Sequence, residues 1–319
     1  MPTNTNVNTN DMTCSESHTQ ITNIFDAADI GDLQAVKRLV KEGANVNTKD
    51  EYGYTALMLA CTNNHIEVAE FLADKGADIN TRNDNGNTAL HSASVYGHIK
   101  IATFLIDRGV DLNAKDEEEG TALYYASGRC YKEVVKLLID RGADINAKQK
   151  NGWTSLHIAS SLGYIEVVKV LASKCDVNMK DDSGYTAVYL ACLNDHIEVI
   201  KFLINEGTDL NMKDNRGLTV LQVAAKSGHR EVLKILTDIH KYQNGLKKIE
   251  QLSGSTHVVG KSRKIFDLLK AKVYFNKYNP ALDYIMLADF ILVECDKSKN
   301  KSVNNYLRTD CIDQIQKYL

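Results

Sequence analysis

No stretch of this 319-residue chain approaches the roughly 18–20 consecutive apolar residues that a membrane-spanning helix needs, so no membrane partner is expected. The opening MPTNTNVNTNDMTCSESHTQ lacks the basic start and apolar core of a secretory signal, and its polar, Asn- and Thr-rich character predicts a disordered tail over 1–20. The seven cysteines, at 14, 61, 130, 175, 192, 295 and 311, are odd in number and form no C-x-x-C pair. That excludes a disulfide framework and a zinc pattern. It fits a reducing, cytoplasmic compartment where buried cysteines serve as small apolar side chains. Gly-rich phosphate loops, metal-ligand spacings and nucleophile motifs are all missing, so no cofactor, metal or catalytic residue is expected. Only two prolines occur, against a lean toward Asn, Lys, Ile and Tyr. This composition points to an AT-rich genome of the kind found in some protists, intracellular bacteria and large viruses, and makes an effector inside a host cell one expectation.

Charge is unevenly placed. From Lys241 onward there are 14 Lys and Arg against 8 Asp and Glu, whereas the preceding residues carry 24 against 33. An acidic body repels phosphates, which disfavours nucleic acid as its partner and leaves the basic tail as the place where such binding would occur.

What is present is a repeat. The segments YTALMLAC, NTALHSAS, GTALYYAS, WTSLHIAS, YTAVYLAC and LTVLQVAA place Thr55, Thr88, Thr121, Thr154, Thr186 and Thr219 at intervals of 33, 33, 33, 32 and 33 residues. A degenerate copy precedes them with Thr22 in phase. Each copy predicts two short helices: a Thr that can cap the first, a glycine break such as Gly97, Gly163 or Gly228, and a second helix. Val68, Ala69, Leu72 and Ala73, or Val134, Val135, Leu138 and Ile139, form its apolar stripe. Gly43, Gly76, Gly109, Gly142 and Gly207 end the second helix, where a left-handed conformation is easiest without a β-carbon. No copy is long enough for its own core, so about 14 helices must stack into a solenoid.

This pattern, D-x-x-G-x-T followed by A-L-H-x-A, G-H and G-A-D-I-N, resembles the ankyrin repeat over about residues 21–240. The resemblance implies an all-α ankyrin-repeat solenoid of helix–turn–helix units joined by β-hairpin-like turns. The family's Pro after Thr is replaced by Ala56, Ala89, Ala122, Ser155, Ala187 and Val220, which the helix tolerates. It also implies that His91 and His157 are frame residues, bonded to the Thr hydroxyl and to backbone of the adjoining turn. Met58, Tyr124, Tyr189 and Gln222 fill the same place elsewhere, a set no metal site would accept. His65, His98, His196 and His229 start second helices in the Gly-His place.

Two irregularities interrupt the array. LASKCDVN lacks one residue and puts Cys175 where glycine is expected, which predicts a rebuilt turn or looser packing, with a slight bend of the stack or a harmless deletion as the outcome. DEEEGTAL crowds Glu117, Glu118 and Glu119 onto one turn, a solvated turn or an acidic contact for a basic partner.

In ankyrin-like stacks the turn residues just before the Thr, and those seven and eight after it, line a concave face. Here that face holds Tyr52, Tyr54, Val95, Tyr96, Arg129, Trp153, Leu162, Tyr185, Leu193 and Leu218. Large aromatics and Arg dominate binding energy when a partner buries them, so a monomeric scaffold that binds another protein is expected, with Trp153 at the centre of the patch. The competing expectation is that these rings pack against neighbouring turns. Residues 241–319 read as a helical C-terminal segment, a cap or small module, with Ile265, Leu268, Leu269, Ile285, Leu287, Phe290 and Ile291 closing the stack. An enzyme with its chemistry in this segment is the rival reading.

Overall fold

The computed structural model describes residues 21–239. The expected tail over 1–20, the segment over 241–319 with its seven closing residues, and Cys14, Cys295 and Cys311 lie outside them.

Seven helix pairs follow one another. They are α1 (Ile24–Asp29) with α2 (Leu33–Lys41), α3 (Ala56–Thr62) with α4 (Ile66–Asp74), and α5 (Ala89–Tyr96) with α6 (Ile99–Asp107). Then come α7 (Ala122–Gly128) with α8 (Lys132–Asp140), α9 (Ser155–Ser161) with α10 (Ile165–Ala172), and α11 (Ala187–Leu193) with α12 (Ile197–Asn205). Last is α13 (Val220–Ser227), followed by a helical run over 230–239. First helices pack on first helices and second on second, so the core runs as one strip along the stack. Val68, Ala69 and Leu72, and their equivalents Ile101, Ala102, Leu105, Val134, Val135 and Leu138, are buried in it. The fourth stripe residues, Ala73, Ile106 and Ile139, are only half-buried at its edge.

Threonine starts six first helices. Thr55 and Thr121 accept from the amides of Met58 and Tyr124, each at 3.3 Å. In the degenerate first copy the cap is Asn23 rather than Thr22, its side chain accepting from the Asp26 amide at 2.8 Å.

Between pairs, each turn closes through a backbone bond at its neck, such as Gln149 N–H to Trp153 C=O and Asp181 N–H to Tyr185 C=O, both 2.9 Å, and a second at its tip, such as Gly152 N–H to Gln149 C=O at 2.8 Å. The tips then join edge to edge. The Glu117 amide donates to Asn85, Lys150 to Glu118, Asp182 to Asn151 and Asn215 to Ser183, at 3.0–3.2 Å. Lys49, Lys115, Lys148 and Lys180 reinforce this ladder, each ammonium donating to a carbonyl of the next turn. A second ladder of asparagines, Asn47, Asn80, Asn113 and Asn178, accepts from the amides of Asp78, Asp111, Asp144 and Asp209.

The missing residue falls at the end of α10, which has 8 residues where α4, α6, α8 and α12 have 9. Cys175 is not among the left-handed residues, so the turn is rebuilt without that conformation. The asparagine ladder skips this step: among the described residues no bond joins the Asn146 side chain to Asp176. Where glycine is missing at other breaks, Asn64, Cys130 and Asp195 take φ near 60°, and Glu119 does so in the acidic turn.

Candidate protein-interaction face

The six histidines among the described residues belong to the frame. Nδ1 of His91 accepts from the Thr88 amide (3.1 Å) and lies 2.9 Å from its hydroxyl, so the other nitrogen carries the proton and donates to Gly120 C=O at 3.2 Å. His157 does the same with Thr154 and donates to Met179 and Tyr185 carbonyls, both at 3.1 Å. Burial pushes both imidazoles below the usual His range, which keeps them neutral in this role. Gln222 replaces the ring in the last copy, its side-chain oxygen accepting from the Thr219 amide at 2.9 Å. His65, His98, His196 and His229 reach back to the carbonyls of Asp29, Thr62, Ser161 and Leu193.

The carboxylates at the start of each turn are equally committed. Asp181 is buried; one oxygen accepts from the Ser183 and Tyr185 amides (2.9 and 2.7 Å) and the other from the Trp153 indole (2.9 Å). Asp116 repeats this with Glu118, Gly120 and the Tyr125 hydroxyl, and Asp214 with Arg216, Leu218 and the Tyr189 hydroxyl. Burial pushes the Asp214 carboxyl up, but the bonds from Tyr189, Leu218 and Arg216 outweigh it and hold it at about 2. Asn83 fills the corresponding place in the third copy, and its buried side-chain NH₂ has no partner.

The expected face residues divide into two groups. Tyr52, Tyr96, Arg129 and Leu162 are exposed. Tyr54, Val95, Trp153, Tyr185, Leu193 and Leu218 are half-buried. Trp153, expected in an exposed turn, is tied to the following turn through Asp181. Tyr54 packs against the core. Tyr185 stacks on Tyr189 with centroids 4.5 Å apart, and the Arg216 guanidinium lies 5.8 Å from its ring centre. The fourth residue after each Thr, outside the expected set, joins this face. Leu59, Tyr125 and Ile158 are half-buried there, one helical turn before Asn63, Arg129 and Leu162 and therefore on the same helix face. That spacing was the available signal. In the acidic turn, Gly120 leaves room for Tyr125, whose ring would sit 2.9 Å from any β-carbon at 120.

Three successive segments, 24–116, 112–181 and 171–247, match ankyrin repeats. The chain belongs to the ankyrin repeat family. Among solved structures, the human ASB11 ankyrin repeat domain superposes with a TM-score of 0.61 at 25% identity, covering 67% of this chain and 97% of that one. Protein phosphatase 1 regulatory subunit 27 from human and from mouse are each 43% identical over 42 residues, 13% of this chain. The chain spans only 27% of the length of these relatives. Ankyrin repeats are generally protein–protein interaction modules, and the fold is typically non-enzymatic.

Other ionisable groups in this ankyrin array lack the arrangement of a reactive centre. Burial pushes the thiols of Cys61 and Cys192 far up and that of Cys175 to about 11, away from the thiolate. Cys61 and Cys192 are buried as expected, whereas Cys130 is exposed at its left-handed break. Glu118 and Glu119 of the acidic turn pair with Lys150 and Lys115. Among the described residues no His, Cys, Asp and Glu group is arranged to hold a metal, and no helix is long and apolar enough to cross a membrane. On the opposite side, a groove of about 380 Å³ between α8 and α10 is lined by Lys132, Lys136 and Lys169. Glu166 within it bonds Lys132 and Lys169, which hold its carboxyl at about 2.

Proposed function

We propose that this chain is a non-enzymatic interaction scaffold that binds another protein on its concave face. One observation carries the reading. Of the five large hydrophobic side chains exposed among the described residues, four are on this face: Ile30 at 60%, Tyr52 at 64%, Tyr96 at 53% and Leu162 at 42%, Ile30 standing eight residues after Thr22 in the first copy. Tyr96, Arg129 and Leu162 occupy the same place in three consecutive repeats, eight residues after Thr88, Thr121 and Thr154. Stacking sets them in a row, with Ile158 beside Leu162. Exposed aromatic, Arg and aliphatic groups in one row are a costly surface to leave in water and a productive one to bury.

The binding centre accordingly moves from Trp153 to the row Tyr96, Arg129 and Leu162, with Ile30 in the same place of the first copy and Tyr52 on the turn before Thr55. Trp153, Tyr185 and Leu193 support its floor and offer edges only. A binder lacking its own chemistry agrees with the commitment of the histidines and turn carboxylates to frame bonds. Among the described residues the cysteines at 61, 130, 175 and 192 are free, which supports a reducing compartment as the place of action.

The test is capture from lysate by the full chain and by Tyr96→Ala/Leu162→Ala. Partners that survive in equal amount on the double variant would place binding elsewhere.

A further inference from the structure

The described array stops on an uncovered flank. At the sixth residue after each Thr, Cys61, Ser94, Ser127, Ser160 and Cys192 are completely buried, yet Ala225 is exposed. At the fourteenth, Ala69, Ala102, Val135, Val168 and Ile200 are completely buried, yet Leu233 is half-exposed. Leu57, Leu90, Leu123, Leu156 and Val188 are buried at the second, whereas Leu221 is only half-buried. Every one of these places is covered, inside the stack, by the helices of the following repeat. Leu221, Ala225 and Leu233 therefore form an apolar face shaped to take another pair of helices.

We infer that this flank is a docking site for residues 264–295 of the same chain. Two observations select that occupant. Ile265, Leu268 and Leu269 fall at i, i+3 and i+4, the stripe a covering helix needs, and ALDYIMLADFILVEC at 281–295 supplies a second apolar element. The segment begins about 25 residues beyond the flank, and such a tether gives it an effective concentration in the millimolar range, which a free partner rarely reaches. This docking is independent of what the concave face binds.

The test uses the full chain. Leu233→Asp places a charge on the flank, and Ile265→Asp/Leu268→Asp places charges on the segment. Each is expected to lower the melting temperature by about 4 °C or more, and the two combined to lower it no further than the larger single loss. Hydrogen exchange at 221–236 should rise in both variants alike. Unchanged melting in Leu233→Asp means the flank is open to water and overturns the inference. Loss in Leu233→Asp with unchanged melting in the segment variant means that something else covers it. A mass by light scattering that doubles with concentration, and halves again in Leu233→Asp, makes a second copy the occupant and overturns the inference equally.

Discussion

The indole nitrogen of Trp153 donates 2.9 Å to the carboxylate of Asp181, a buried group in the turn of the following repeat. The bond makes this ring a joint between two repeats. Trp153→Phe keeps most of the ring but leaves the Asp181 oxygen without its donor, which should cost about 1–3 kcal/mol of stability. Trp153→Ala should cost more, since it also strips packing. Urea unfolding of both variants checks this, and a Phe variant with wild-type stability would show that water replaces the indole.

Leu162 has no such structural duty. Leu162→Ala and Tyr96→Ala should each weaken a captured partner by about 2 kcal/mol, roughly 30-fold in Kd, with little change in melting. Leu138→Ala is the control: it empties a fully buried site and should cost about 2–5 kcal/mol of stability. Calorimetric titration beside a melting curve separates the two effects.

Acid should loosen the array through its frame histidines. Burial lowers the pKa of His91 and His157 in the folded chain, so the unfolded chain binds more protons once pH drops below about 6.5. Their contribution is complete above that pH and is lost as pH falls toward the folded values. Gln222 shows that an uncharged amide can hold the same cap. His91→Gln/His157→Gln should flatten the fall in urea midpoint between about pH 6.5 and 5. An equally steep fall in the variant would assign it to other groups.

Glycines at two kinds of turn should differ. Gly109 and Gly163 both have positive φ, 82° and 75°. A β-carbon at 109 meets nothing within 4 Å, whereas at 163 it would lie 2.5 Å from the His196 ring. Gly109→Ala should cost about 1 kcal/mol for the left-handed backbone alone. Gly163→Ala should cost more, because the ring bonded to Ser161 C=O must also move. Equal losses would mean the imidazole swings away freely.

The period of 33 determined the pairing of helices, the threonine caps and the apolar strip, and the resemblance to the ankyrin repeat implied the frame role of His91 and His157. Each depends on residues at fixed separation within one repeat or the next, and local spacing specifies that directly. Tertiary structure alone decided which face residues remain free. Tyr52 and Tyr96 are exposed while Tyr54 and Trp153 are half-buried, although all were expected on the same face. The difference comes from what stands opposite in the adjoining turn. Asp181 accepts from Trp153, Gly120 makes room for Tyr125 to reach Asp116, and Tyr189 both stacks on Tyr185 and bonds Asp214. Glu119, in the turn between two repeats, and Cys130, at the break between α7 and α8, take left-handed positions that their residue types disfavour, because the packed elements on either side fix the backbone there. These outcomes follow from packing between turns and helices of the same and of neighbouring repeats, where side-chain size and donor placement must fit together.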